Sequence, residues 1–279
     1  RGDAFEHDLE VAALRPALAA QGLELEEIDW RAPIAAFDGI ALVMLGTAWD
    51  YQDYPDEFIA KLAAIEERGV TVCNPPAVVR WNADKRYLDE LAQQGAAIVP
   101  TLWRRDLGRA GVQDAMTHFA TDRVVVKRQV GAGGIGQHSF ARDSLPDDSW
   151  TMGCPCMVQP FLPSVVEEGE FTYVFIDGAF SHGVCKRAGP DDYRIQSLYG
   201  GYETPYTPDA RDLAAAQAVV AALPFEPLLY ARIDMVRLPS GTLAVMEAEL
   251  IEPYLYPEQA DNLGELVARA VRARLPGGS

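Results

Sequence analysis

Only four lysines, Lys61, Lys85, Lys127 and Lys186, stand among the 24 basic residues of the chain. A lysine ammonium is a compact charge suited to point contact with phosphate oxygens. Lys127 closes the apolar run Val124-Val125-Val126 and is followed shortly by Gly131-Ala132-Gly133-Gly134-Ile135-Gly136. A glycine-rich loop lets backbone N–H groups approach phosphates closely. Alone, it reads equally well as a flexible turn. It is not a P-loop, since no Gly-Lys-Ser/Thr follows, and it does not open an N-terminal βαβ unit as a dinucleotide fingerprint does. Strand, lysine and glycine loop together point to nucleotide phosphates.

A second group is acidic. Asp234 lies in Tyr230–Val236, and beyond Ser240-Gly241 comes Met246-Glu247-Ala248-Glu249-Leu250-Ile251-Glu252-Pro253. Period-two alternation puts Glu247 and Glu249 on one strand face, and a hairpin can bring Asp234 opposite them. Surface strands often carry acids. This one is otherwise apolar, so the acids are expected to line a cleft, where clustered carboxylates call for a cation. Hard oxygen ligands facing phosphates suit Mg²⁺.

The elements that position these groups follow from periodicity. A helix is expected over residues 8–21, a short strand at Leu23–Ile28, a buried parallel strand within Gly39–Leu45, a helix from Asp53 to Gly69 and a strand at Val70–Cys73. Strands alternating with helices define an α/β unit with a parallel sheet. The break Asn74-Pro75-Pro76 bounds a first domain, residues 1–75, from a second, 76–279. Within the second, 76–158 carries the phosphate loop and 159–279 the acids. A helix is expected from Asn82 to Gln94, strands at Ala97–Trp103 and Arg123–Gln129 with a helix near Val112–Phe119 between them, and a strand at Cys156–Gln159. Hairpins turn at Asp177-Gly178 and Ser240-Gly241, and helices span Pro208–Leu223 and Glu258–Arg274. The later half is therefore α+β with antiparallel sheets.

Composition narrows the function. With 41 acidic residues and a formal net charge of −17, the surface repels nucleic acid and anionic lipid. No apolar stretch has the length of a membrane helix. Cys73, Cys154, Cys156 and Cys185 lack paired spacing and read as reduced thiols of a cytoplasmic protein. His7 and His118 read as helix-surface residues, and His138 and His182 are weaker site candidates. A homodimer is the default assembly.

From Asn74 onward the chain resembles the ATP-grasp superfamily, in particular its glutathione-synthetase-like branch. The resemblance rests on Asn74-Pro75, Asn82-Ala-Asp-Lys85, Val126-Lys127 with the glycine loop, and Val158-Gln159-Pro160-Phe161. It continues through Gly169-Glu170, Lys186, Tyr193-Arg194, Gly200-Gly201, Arg232-Ile-Asp234 and Glu247-Ala-Glu249. Thr47-Ala-Trp49-Asp50-Tyr51, Ser181–Lys186 and Glu247–Pro253 are closer still to a bacterial subgroup that includes the O-ureido-D-serine cyclo-ligase forming D-cycloserine. Glu249 stands where glutathione synthetases carry asparagine, and Gly46 where many relatives carry arginine.

The resemblance implies an ATP-grasp fold: an N-terminal parallel-sheet domain and two subdomains gripping ATP. It implies an ADP-forming carboxylate–amine ligase acting on a small-molecule acid and an amine, or intramolecularly as a cyclo-ligase. Lys85, Lys127, Gly133 and Gly134 would hold the ATP phosphates. The backbone of Gln159, Pro160, Phe161 and Leu162 would read adenine, with Glu167 or Glu168 near the ribose. Asp234, Glu247 and Glu249 would hold two Mg²⁺ ions, and Arg194, Lys186 and Arg232 would stabilise the transferring phosphoryl group. Thr47, Trp49, Asp50, Tyr51, Gly200 and Gly201 would face the substrate, although Trp49 and Tyr51 also read as core aromatics. A kinase that stops at phosphoryl transfer and a non-catalytic nucleotide-binding module are the alternatives. No Ser-His-Asp set is evident, so no dedicated general base is expected.

Overall fold

The computed structural model describes residues 3–131, 133–189 and 200–275. It opens on helix α1 (Asp3–Ala20), strand β1 (Leu42–Met44), helix α2 (Pro55–Glu67) and strand β2 (Thr71–Cys73). β1 and β2 pair in parallel, Val43 beside Val72. α2 starts with Pro55, whose fixed φ suits the first helical position, and Asp56 and Glu57 complement the positive end of its dipole. Its Phe58, Leu62 and Ile65 are buried under the small sheet. The strand expected at Leu23–Ile28 forms no ladder with the described residues. Glu24 and Glu26 point to solvent, and Arg15 Nη1 donates to Leu25 O at 2.8 Å, so a side chain takes the place of a neighbouring strand.

Next come helices α3 (Pro76–Asn82) and α4 (Tyr87–Gln93), strand β3 (Leu102–Arg104), helix α5 (Arg109–His118) and strands β4 (Arg123–Arg128), β5 (His138–Ala141) and β6 (Cys156–Pro160). These strands form an antiparallel sheet in the order β3-β6-β4-β5. The helix expected from Asn82 to Gln94 is interrupted: Asn82 ends α3, and helix resumes only at Tyr87 as α4. The Lys85 N–H donates to Gln129 O at 3.0 Å and the Arg86 N–H to Asp84 Oδ1 at 2.9 Å, which ties the intervening turn to the strand before the glycine loop. The strand expected over Ala97–Trp103 is likewise divided: Ile98 bridges Val245 of another sheet, and only Leu102–Arg104 joins β6.

The remainder comprises α6 (Ser164–Glu167), β7 (Glu170–Ile176), β8 (Ala179–Arg187), β9 (Tyr202–Tyr206), α7 (Ala210–Ala221), β10 (Tyr230–Arg237), β11 (Leu243–Glu249) and α8 (Leu263–Arg274). Its strands make an antiparallel sheet ordered β11-β10-β7-β8-β9. The last helix begins later than expected, because Tyr256 is left-handed and Pro257–Gln259 forms a 3₁₀ turn. No helix among the described residues is long and apolar enough to cross a membrane, and all four cysteines are free thiols.

Alternation splits the sheet's two faces. Phe171, Tyr173, Phe175, Ala231, Ile233 and Met235 pack in one core, while Val174, Ile176 and Tyr230 pack in another, shared with α8 and the N-terminal unit. Along this second face the strands change character. Past Val174 come Thr172 and Glu170, and past Tyr230 come Arg232 and Asp234. Covered on both sides, β7 is buried at every position.

β11 is the edge strand, and side chains cap it. Asn82 Nδ2 donates to Ala248 O at 2.7 Å and Asn82 Oδ1 accepts the Leu250 N–H at 2.9 Å. The Tyr87 hydroxyl oxygen accepts the Ala248 N–H at 2.9 Å, and Asn74 Nδ2 reaches Leu250 O at 2.7 Å. Backbone groups left open by the sheet are thereby satisfied, which fixes the strand that carries Glu247 and Glu249. Asn82→Ala leaves two of them unpaired, so we expect a loss of about 1–3 kcal/mol in denaturant unfolding.

α1 is anchored from its own side. Glu10, 7% exposed, accepts the Leu255 N–H at 2.7 Å, and burial pushes its carboxyl up to about 7 from the ordinary 4.5. Between those values the folded chain holds a proton that the unfolded chain has lost, so stability falls as pH rises through that window. The loss amounts to about 3 kcal/mol at most. Glu10→Gln keeps the acceptor and removes the titration. Its stability should fall less than that of the parent chain between pH 4.5 and 8, by up to about 3 kcal/mol, in urea unfolding curves taken across that range.

Candidate active site

A cavity of about 1990 Å³ opens where the two antiparallel sheets and the N-terminal unit meet, and it is lined by Lys85, Lys127, Gln159, Asp234, Glu247 and Thr47 among others. Its floor is the charged face of the larger sheet. Register places Asp234 between Thr172 and Glu247 and Glu170 opposite Lys186. Lys186 Nζ lies 2.7 Å from Glu170 Oε1 and 2.9 Å from Asp234 Oδ2. Arg232 Nη2 lies 3.0 Å from Asp234 Oδ2 and also pairs with Glu249. Thr172 donates its hydroxyl to Asp234 Oδ1 at 2.6 Å. Above them Lys85 Nζ sits 2.7 Å from Glu247 Oε1 and donates to Gly131 O.

Lys186, Glu170, Arg232 and Asp234 are all under a tenth exposed, so each must be paired to stay charged. Burial alone would raise the Asp234 carboxyl, but Arg232 and Lys186 hold it far below the carboxylate range. Burial opposes charge on Lys186 too, and Asp234 and Glu170 reverse that. Glu249 is different: burial dominates and pushes it up to about 7. Glu252 is raised well above its ordinary value for the same reason. This end of the cavity therefore holds more acid than its cations neutralise.

The opposite wall comes from the smaller sheet. Lys127, at the end of β4, lines the cavity with Gly131, Gly133, Gly134 and Ile135, and burial pulls its ammonium below the lysine range against Glu247 and Glu170. Gly133 and Gly134 adopt φ of 61° and 70°, the left-handed region open to glycine at no steric cost. Gln159, Pro160, Phe161 and Leu162 also line the cavity, next to an apolar slot of Val99, Val125, Val165 and Met246. The Phe161 N–H donates to Arg123 O at 2.9 Å.

Other expected residues are placed as follows. Thr47, Trp49 and Asp50 line the cavity. Trp49 Nε1 donates to Glu252 O at 3.1 Å, while Asp50 accepts from Trp30 Nε1 at 2.9 Å and pairs with Arg31. Tyr51 is instead a core residue, 5.3 Å from the Phe58 ring, and does not line the large cavity. Glu167 and Glu168 also lie off its lining; Glu168 Oε2 is 3.0 Å from Arg237 Nε. Gly200 and Gly201 are not part of the wall, and a Cβ on Gly189 would meet Gly200 O at 2.6 Å. Arg194 lies outside the described residues. His182 is buried, which lowers it to about 4, and His138 stacks on Phe140; neither lines the cavity.

Asp234, Glu247 and Glu249 do share one face, but they do not converge on one open point. Both Asp234 oxygens are engaged, Oδ1 by Thr172 and Oδ2 by Lys186 and Arg232. Among the described residues no three His, Cys, Asp or Glu are grouped to hold a metal ion. Glu247 and Glu249 each give one oxygen to a cation, and neither second oxygen has a hydrogen bond among the described residues. With Glu249 raised by burial, these two fit a divalent cation.

Sequence reasoning quoted Glu170 only as a mark of the resemblance and gave it no role, although a lone acid heading the apolar strand Phe171–Ile176 was a signal. It also missed Glu10 and read His7 as a surface residue, although both line the cavity. They lie on the polar side of α1, where spacing does not distinguish a solvated face from the wall of a cleft.

Comparison with known proteins agrees with this fold. Residues 2–74 match the family model described as D-cycloserine synthetase DcsG, N-terminal domain. The chain is 29% identical over 284 residues to the cycloserine biosynthesis protein DcsG of Streptomyces lavendulae, covering 96% of this chain and 94% of that one. It superposes on the crystal structure of D-cycloserine synthetase DcsG with a TM-score of 0.80 at 25% identity, covering 95% and 94% of the two chains. It superposes on the ATP-grasp ligase PsnB complexed with minimal precursor with a TM-score of 0.67 at 19% identity, covering 95% of each. The chain thus has the ATP-grasp fold, and over nearly its whole length it is similar to D-cycloserine synthetase DcsG.

Proposed function

We propose that the chain is an ATP-dependent, ADP-forming ligase that phosphorylates the carboxylate of an amino-acid-derived acid and joins it to a nitrogen nucleophile, intramolecularly where the acid carries its own. The observation that carries this reading is the pairing, across one cavity, of a lysine-and-glycine wall with a carboxylate floor that has acid to spare. The likeness to a D-cycloserine synthetase favours a D-configured acid and ring closure.

A carboxylate is a poor acyl donor because its leaving group would be oxide. Attack of its oxygen on the γ-phosphorus expels ADP and gives an acyl phosphate, whose leaving group is phosphate. In this reading Lys127 and Lys85 hold the phosphates under the Gly131–Gly136 loop. The apolar slot at Val99, Leu162 and Met246 takes the base, with backbone groups of Gln159, Pro160, Phe161 and Leu162 at its edge. Glu247 and Glu249 would hold Mg²⁺, which would supply positive charge against the phosphates. Asp234 keeps Arg232 and Lys186 aimed at the space above the sheet, where they stabilise the transferring group. Thr47, Trp49 and Asp50 face the acid. Arg194 remains an expected contributor from its position in the sequence.

The reading is tested by a phosphate-release screen over D- and L-amino acids and their O-substituted serine analogues, with mass spectrometry of any hit. ADP, phosphate and a condensed product in equal amounts support it. ADP with a stable phosphorylated acid and no condensation contradicts it in favour of a kinase. For the nucleotide site, ATP with Mg²⁺ should raise the melting temperature. Lys127→Ala should weaken ATP binding by roughly 1.5–3 kcal/mol in calorimetric titration.

A further inference from the structure

Thr47 is not alone at the cavity wall. Its hydroxyl oxygen lies 2.7 Å from His7 Nδ1, and His7 Nε2 lies 2.9 Å from Glu27 Oε2. Glu27 is held in turn by Arg15, which also donates to Leu25 O at 2.8 Å. Hydroxyl, imidazole, carboxylate and guanidinium form one chain, drawn from three separate segments, and Thr47, His7 and Glu27 all line the cavity. The 23–28 segment, which forms no ladder, brings Glu27 to the ring.

With a neutral His7 ring, the geometry sets the direction of the hydrogen bonds. A carboxylate only accepts, so in the neutral ring the proton sits on Nε2, facing Glu27, and Nδ1 is bare. The Thr47 O–H must then donate to Nδ1, which leaves the lone pairs of Thr47 for a donor in the cavity. The His7 hydrogen bond holds the Glu27 carboxyl below its ordinary range, so it remains an acceptor. Position agrees as well. Trp49, two residues after Thr47, is tied to the carbonyl of Glu252, just past Glu249. Glu10, one turn after His7, accepts from Leu255.

We infer that Thr47, oriented by His7 and Glu27, accepts the proton of the attacking nitrogen in the second half of the ligation. The inference rests on the ligase reading above. The nitrogen bonds to the acyl carbon and the carbon–oxygen bond to phosphate breaks, its electron pair leaving with phosphate. The nitrogen's proton passes to Thr47 Oγ1 as the Thr47 proton passes to His7 Nδ1. The resulting imidazolium faces Glu27, which stabilises it. Thr47 is the catalytic residue that touches the nucleophile; His7 and Glu27 are positioning residues acting through it. A general base is thus supplied without the serine-nucleophile set that the sequence lacks.

Two measurements test this. The first is chemical. With D-serine as the probe acid, ammonia as the amine and hydroxylamine as a trap that attacks acyl phosphates without a base, the ratio of hydroxamate to amide is read for the parent chain, Thr47→Val and His7→Gln. Both substitutions should raise that ratio about a hundredfold, the lower end of what a lost general base costs. An unchanged ratio, with both products falling together or neither falling, overturns the inference. The second is independent of turnover: ¹⁵N NMR of the ring nitrogens, with His7 assigned by its loss in His7→Gln. A bare Nδ1 that shifts in Thr47→Val supports the relay, and a neutral ring protonated on Nδ1 overturns it. If the parent chain yields no hydroxamate from D-serine or from any D- or L-amino acid, the ligase reading fails, and the NMR result still decides the orientation of Thr47.

Discussion

Four buried charges hold this site together. Lys186, Glu170, Arg232 and Asp234 are packed on one face of a sheet whose other face is hydrophobic core, and none could remain charged there alone. Their mutual pairing forces the register that sets Glu170 opposite Lys186 and Asp234 beside Thr172. The aromatic ring of Tyr256, at 5.9 Å from Lys186 Nζ and 5.6 Å from Arg232 Cζ, closes the group against the C-terminal segment. Removing one member leaves a buried charge without its partner, so the network constrains the strands as strongly as packing does. It also leaves Glu249 and Glu247 at the rim, where a cation from outside can complete the balance.

That rim is held from the outside edge. β11 has no strand beyond it along most of its length, and Asn74, Asn82 and Tyr87 occupy the backbone groups a further strand would have taken. Those side chains come from the turn and helices that also deliver Lys85. Floor, edge and phosphate-facing lysine are therefore one mechanical unit, and a shift of the Asn82–Lys85 turn would move the glutamates and the ammonium together.

Much of this was legible in the sequence because it rests on local rules. The hairpin at Ser240-Gly241, the alternation of Glu247 and Glu249, and the strand-lysine-glycine series need only neighbours in the chain. Opposition of Asp234 and Glu247 followed from the hairpin and is realised in the register. What escaped reading depends on distant partners. The capture of both Asp234 oxygens by Lys186, Arg232 and Thr172 could not be inferred from the acids themselves. The break at Asp84-Lys85 required a carbonyl from Gln129, and the straightening of Leu23–Ile28 into an unpaired segment required Arg15. His7 and Glu10 had no signature, since a polar helix face looks the same toward water and toward a cleft. Glu168 was misplaced because Arg237, far along the chain, draws it away from the cavity.

The central claim is that this charged face and the lysine-bearing wall are two halves of one nucleotide–metal site. A crystal structure of the chain with a non-hydrolysable ATP analogue and Mg²⁺ tests it most directly. The base is expected between Val99, Leu162 and Met246, the triphosphate against Lys85 and Lys127 beneath the glycine loop, and metal on Glu247 and Glu249, while Asp234 keeps Arg232 and Lys186. A nucleotide bound elsewhere, or a metal that contacts neither glutamate, would contradict it.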